Sequence, residues 1–157
     1  MKQTAKKLKW FYVLVQACIV IGMLAGVGLL VYLYVAVMPT VVEFFVLEGK
    51  PAAFAVLSCV IGTFCLLGGE FIALELLCMM RTLDGDPFVE RNVRALRRMG
   101  FVAVCIALMG LSTMLLHPVP LAVIAAAPVA MCGLFSLVLS GVFAQAVTYK
   151  QENDLTV

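Results

Sequence analysis

"MGFVAVCIALMGLSTMLLHPVPLAVIAAAPVAMCGLFSLVLSGVFAQAVTY", residues 99 to 149, runs without a single Asp, Glu, Lys or Arg. About 20 apolar residues cross the hydrocarbon core of a bilayer, so this run is too long for one helix. It breaks at His117-Pro118-Val119-Pro120, where two prolines mark a tight turn. The stretch therefore reads as two spans, near 99–116 and 121–149. Two more charge-free runs precede it, Trp10 to Met38 and Pro51 to Gly69, the second continuing as an apolar run past Glu70 and Glu75 to Met80. A short segment in lipid satisfies its own backbone groups only as a helix. The sequence thus predicts an all-α membrane protein, a four-transmembrane-helix bundle forming one domain over 1–157, with spans at about 10–38, 52–80, 99–116 and 121–149. The first and fourth exceed the core thickness and must tilt or project into the headgroups.

Composition agrees. Hydrophobic residues make up 64% of the chain and the mean hydropathy is +1.13, whereas about half the residues of a soluble domain are apolar. The six cysteines (Cys18, Cys59, Cys65, Cys78, Cys105, Cys132) all lie in apolar runs and none forms a C-x-x-C pair. They read as small packing residues, not as a disulfide framework or a redox centre. The basic start, MKQTAKKLK, precedes a run far longer than a signal-peptide core, so the first span is expected to be retained.

Charge distribution sets the expected orientation. Lys2, Lys6, Lys7 and Lys9 lie before the first span, Arg81, Arg91, Arg94, Arg97 and Arg98 between spans two and three, and Lys150 after the fourth. Only Lys50, beside Glu43 and Glu48, lies on the other side. The positive-inside rule then places both termini and the central loop, residues 81–98, in the cytoplasm. A multi-pass protein of the cytoplasmic membrane, N-in and C-in, is the expectation.

That loop has local structure of its own. Asp84-Gly85 signals a turn, and Asp86 followed by Pro87 reads as a helix cap with proline at the first helical position. Val89, Val93, Leu96 and Gly100 then recur at helical spacing while Arg91, Arg94 and Arg98 point elsewhere. A short amphipathic helix at the membrane surface follows, running on towards span three. Its simplest role is anchorage on anionic headgroups. A sharper one is docking of a cytoplasmic partner.

Polar residues inside the spans are the second set of candidates. Glu70 lies eleven residues before Arg81, roughly 16 Å along a helix, where an ionisable group is costly and by default a functional hypothesis. Glu75 is closer to the cytoplasmic face. Being five residues apart, the two carboxylates fall on different sides of a helix. Gln16 and Gln145 sit at depths similar to Glu75, so a polar layer of Gln16, Glu75, Gln145 and Arg98 is expected to satisfy these groups across helices. Gly22 and Gly26 permit close helix contact, and Pro128 is expected to kink span four unless its neighbours compensate. No phosphate loop, nucleophile elbow or metal-ligand spacing occurs in the sequence, so no enzymatic activity, cofactor or metal is expected. The basic loop is too short and too close to lipid to bind nucleic acid directly.

Two stretches carry a family resemblance. "DGDPFVERNVRALRRMG" resembles an nPF-x-x-x-N-x-x-x-L-x-x-x-G segment, and "FAQAVTYKQENDLTV" resembles an F-x-x-G-x-x-L-x-E-E-N-D-L-T-V tail. Ala146 stands where the tail usually has glycine, and Gln151 where it has an acid. Together they are similar to small bacterial four-span membrane proteins catalogued as a domain of unknown function, and the spacing of the spans matches over nearly the whole chain. Members are often encoded beside a small helix-turn-helix regulator of the Cro/C1 type. The resemblance thus implies a membrane partner of a transcription regulator, with Phe88, Arg91, Arg94, Arg97, Arg98, Glu152 and Asp154 as the candidate docking residues. Two alternatives remain: a small transporter or proton-coupled exporter, working as a homo-oligomer around Glu70, and a structural membrane protein without a soluble partner.

Overall fold

A computed structural model describes residues 2–81, 88–116 and 120–154. All the described secondary structure is helical, and four helical stretches are long and apolar enough to cross a membrane: Trp10–Leu47, Ala52–Met80, Glu90–Leu115 and Ala122–Asn153. The chain is a multi-pass membrane protein. The cap expected at Asp86-Pro87 and the turn at 117–119 lie outside the described residues.

The first span does not stop at Met38. Helix α1 (Lys2–Tyr32) passes through a π-helical segment, Leu33–Val37, into α2 (Met38–Leu47). Pro39 supplies the reason. It lacks an N–H, and its ring crowds the carbonyl four residues back; a wider π turn just before it absorbs that mismatch. The π segment is seated on α3 (Ala52–Met80). Leu33 approaches to 3.5 Å from where a Cβ on Gly62 would stand. Tyr34 Oη lies 2.8 Å from Thr63 Oγ1. Thr63 gives its own proton to the Cys59 carbonyl at 2.8 Å, so Tyr34 is the donor between them.

A tight turn joins α2 to α3. Gly49 has φ +71°, a left-handed conformation that glycine adopts without a side-chain penalty. Its N–H donates to the Val46 carbonyl at 3.0 Å and that of Lys50 to the Phe45 carbonyl at 2.9 Å. This is the Schellman pattern that ends a helix by satisfying its last carbonyls. Lys50 pairs with Glu48 at 2.9 Å and stands 5.6 Å over the Phe45 ring. Phe45 in turn stacks on Phe54 of α3 at 6.4 Å.

Helices α4 (Glu90–Leu116) and α5 (Pro120–Asp154) form the second hairpin, and α5 runs through Pro128 as one helix. The arginine-rich segment is not a separate helix among the described residues. Its helical part is the first turns of α4, continuous with span three.

Instead of closing into a bundle, the spans form an open row. The α1–α2 span packs on α3, α3 on α4, and α4 most extensively on α5, whereas α1 and α5 make at most marginal contact. Each neighbouring pair is antiparallel, so the starts of α1 and α4 and the ends of α3 and α5 share one end of the described helices. Among the described glycines, backbone meets the backbone of another helix at Gly100 and Gly133. A Cβ on Gly100 would stand 2.8 Å from the Gly133 carbonyl oxygen, and one on Gly133 would stand 3.0 Å from that of Gly100. Ala103, Ala107 and Ala126 are buried along the same seam. Lipid tails are as apolar as leucine, so hydrophobicity does not hold spans together, and small residues that let backbones approach do.

Candidate functional site

Two groups of side chains stand out, one at the charged end and one in the membrane interior. At the charged end, α4 begins with Glu90 in its first turn, a favourable place for a carboxylate beside the positive pole of the helix. Glu90, Val93 and Arg94 of α4 face Ala144, Val147, Thr148 and Gln151 of α5 across a groove of about 220 Å³. The α5 residues recur at i, i+3, i+4 and i+7, the signature of one helix face. Val93 and Val147 are buried and form the floor; Glu90, Arg94, Thr148 and Gln151 are exposed at the rim. Thus the two stretches that carry the family resemblance, far apart in sequence, line one groove.

The candidate docking residues do not all belong to it. Phe88 is 43% exposed but rests on Phe143 of α5, ring centroids 5.5 Å apart, so it also serves the fold. Arg98 reaches back to α3 and pairs with Glu75 at 2.9 Å. Arg97 and Arg98 line a different, apolar groove with Phe71, Phe101, Val102 and Leu137. Arg91 and Glu152 are exposed. Asp154 ends α5, and 155–157 lie outside the described residues.

Sequence reasoning missed one role. Asn92, Leu96 and Gly100, spaced by four, are all buried, Asn92 to 1% exposure. Ser136 Oγ donates to the Leu96 carbonyl at 2.8 Å. Leu96 and Gly100 lie on the seam against α5 and Asn92 is buried one turn before them, while the arginines between them are exposed. The spacing of four was the available signal, since it puts all three on one stripe.

In the membrane interior the expected polar layer is reduced to its Glu75–Arg98 pair. The Glu75 side chain keeps 14% of its exposure and the Arg98 side chain 57%, so the carboxylate is the desolvated partner. Gln16 is half-buried on α1 and Gln145 exposed on α5. Their helices stand at opposite ends of the row, too far apart to complete one layer. Glu70 is placed differently. Its carboxylate lies against the backbone of Gly26, where a Cβ would overlap Oε1 and stand 3.1 Å from Cδ. Among the described residues Glu70 takes part in no hydrogen bond or ion pair. Gly22 has open space instead, so of the two glycines four apart only Gly26 is used.

All six cysteines are free. Among the described residues no three His, Cys, Asp or Glu side chains converge as metal ligands would.

The model of a family described as protein of unknown function (DUF2975) matches residues 3–157. No curated protein and no solved structure matches the chain.

Proposed function

Because this chain belongs to the DUF2975 family of proteins of unknown function, we propose a role for it from its geometry: a membrane-embedded docking protein. In this reading the groove between the start of α4 and the end of α5 binds a soluble cytoplasmic partner. The observation that carries it is the shared groove, with Glu90 and Arg94 on one wall, Thr148 and Gln151 on the other, and Val93 and Val147 as floor. An apolar floor inside a polar rim is the anatomy of a protein interface. At about 220 Å³ the groove is smaller than the roughly 300–1,000 Å³ typical of small-molecule sites. Its occupant is then one or two side chains of a larger partner. The family resemblance suggests a helix-turn-helix regulator of the Cro/C1 type, held at the membrane and away from DNA.

The test is gentle solubilisation of the intact chain and identification of what co-purifies. Arg94→Glu, alone or with residues 152–157 deleted, should release the partner while the protein stays in the membrane. Retention of the partner by both variants at the intact level would refute the docking role.

A second reading rests on Glu70. A carboxylate without a polar partner in the middle of a span favours proton-coupled transport. The two readings separate cleanly: transport is lost in Glu70→Gln and survives Arg94→Glu, whereas docking behaves in the opposite way.

A further inference from the structure

The groove that takes Arg97 and Arg98 is distinct from the docking groove and follows from the open row. Because α4 packs between α3 and α5, its outward face lines a groove about 440 Å³ in volume, flanked by Phe71 of α3 and Leu137 of α5, with the half-buried Val102 and the exposed Phe101 contributed by α4 itself. Apart from the two arginines every lining side chain is apolar. Arg97 and Phe101 lie one turn apart, as do Arg98 and Val102, so both guanidinium groups belong to the end of the groove nearer the charged end of the molecule. We propose that this groove is a binding site for one anionic phospholipid, an acyl chain lying along α4 and the headgroup phosphate on Arg97 and Arg98.

The chain alone gains little there, since the surrounding bilayer is equally apolar. Retention and selectivity must come from the headgroup. Arg97 is exposed and has no ion-pair or hydrogen-bond partner among the described residues. Arg98 is paired with Glu75 through Nη2, and a guanidinium has further N–H donors to offer. Arg97, Arg98 and Glu75 together carry one net positive charge, which one phosphodiester balances. A lipid with a neutral headgroup overall leaves that charge uncompensated, so the site discriminates by headgroup charge.

The experiment uses the full chain, reconstituted in vesicles of equal parts phosphatidylglycerol and phosphatidylcholine, extracted in mild detergent and weighed intact with its bound lipids by native mass spectrometry. Phosphatidylglycerol should be retained over phosphatidylcholine by roughly fivefold or more, the scale of one arginine at an anionic surface. Arg97→Gln should bring that ratio close to unity, while Arg94→Gln, an exposed arginine outside the groove, should keep it. Glycerol phosphate, the headgroup without chains, should not displace the lipid. Equal retention of the two lipids by the unmodified chain would overturn the proposal. So would an equal loss in Arg94→Gln, which would reduce the effect to general surface charge. Displacement by glycerol phosphate would overturn it too, by assigning the arginines to a free phosphate.

Discussion

The carboxylate of Glu70 in α3 sits against the backbone of Gly26 in α1, in space that any side chain at position 26 would occupy. This contact ties the only mid-span carboxylate of α3 to the one glycine of α1 that a neighbouring helix uses. It also makes the two positions energetically dependent. Gly26→Ala meets only the far end of a flexible side chain, so Glu70 can swing aside and the loss should be small. Gly26→Leu leaves it no room. Adding Glu70→Ala to Gly26→Leu should recover stability, with a coupling of about 0.5–3 kcal/mol, measured by thermal unfolding in detergent. Strict additivity of the two substitutions would show that the contact does not exist.

The Gly100–Gly133 seam should be far less forgiving. There an added methyl meets a carbonyl oxygen of the facing helix, and backbone cannot rotate away. Gly100→Ala and Gly133→Ala should each cost about 1–3 kcal/mol, as overpacking does. Gly141→Ala, where a Cβ meets nothing within 4 Å, should instead be neutral or stabilising by up to about 1 kcal/mol through helix propensity. Unfolding of the three variants side by side decides the matter; equal behaviour would place the seam elsewhere.

The Glu75–Arg98 pair should respond asymmetrically. Arg98→Gln strands a largely desolvated carboxylate, while Glu75→Gln leaves a guanidinium that is already half in solvent. Removing one partner of a buried pair is costly because the other charge stays behind uncompensated. Arg98→Gln should therefore destabilise more than Glu75→Gln, and the double variant should resemble Glu75→Gln alone. The reverse order in thermal unfolding would mean that Arg98, not Glu75, carries the desolvation cost.

Phe88 offers a test of fold against docking. Its ring pair with Phe143 should contribute about 0.5–1.5 kcal/mol beyond area burial. Phe88→Ala should thus lower the unfolding temperature modestly before any effect on a partner is considered. Phe143→Ala should reproduce that loss, and the two losses should not add.

Orientation is accessible to labelling. In a background without the native cysteines, single cysteines at Lys2, Asp84 and Asp154 should resist impermeant reagents in intact cells, while those at Lys50 and His117 should react. Labelling of Asp84→Cys from outside would invert the arrangement and move both grooves to the opposite face.

The number of spans was legible in the sequence, because bilayer crossing depends only on a run of about 20 apolar residues. Span 52–80 coincides with α3, and the helical spacing that starts near Phe88 marks the start of α4. The continuation of the first span to Leu47 was not legible. Pro39 and Glu43 look like an ending, and only the π turn, held on α3 by Leu33 and Tyr34, lets the helix carry on. The open row was hidden for a related reason. Every face of an apolar helix suits lipid, so hydropathy does not say which face meets another span. Glycines show the same limit. Gly22 and Gly26 looked like a packing pair and Gly100 and Gly133 did not, yet close approach is a property of two helices, and only their pairing reveals it. The candidate sites divide in the same way: residue types and depth singled out Glu70, Glu75 and the arginines, whereas the assignment of Arg94 to one groove and Arg97 to another came from the packing of α4 between its neighbours.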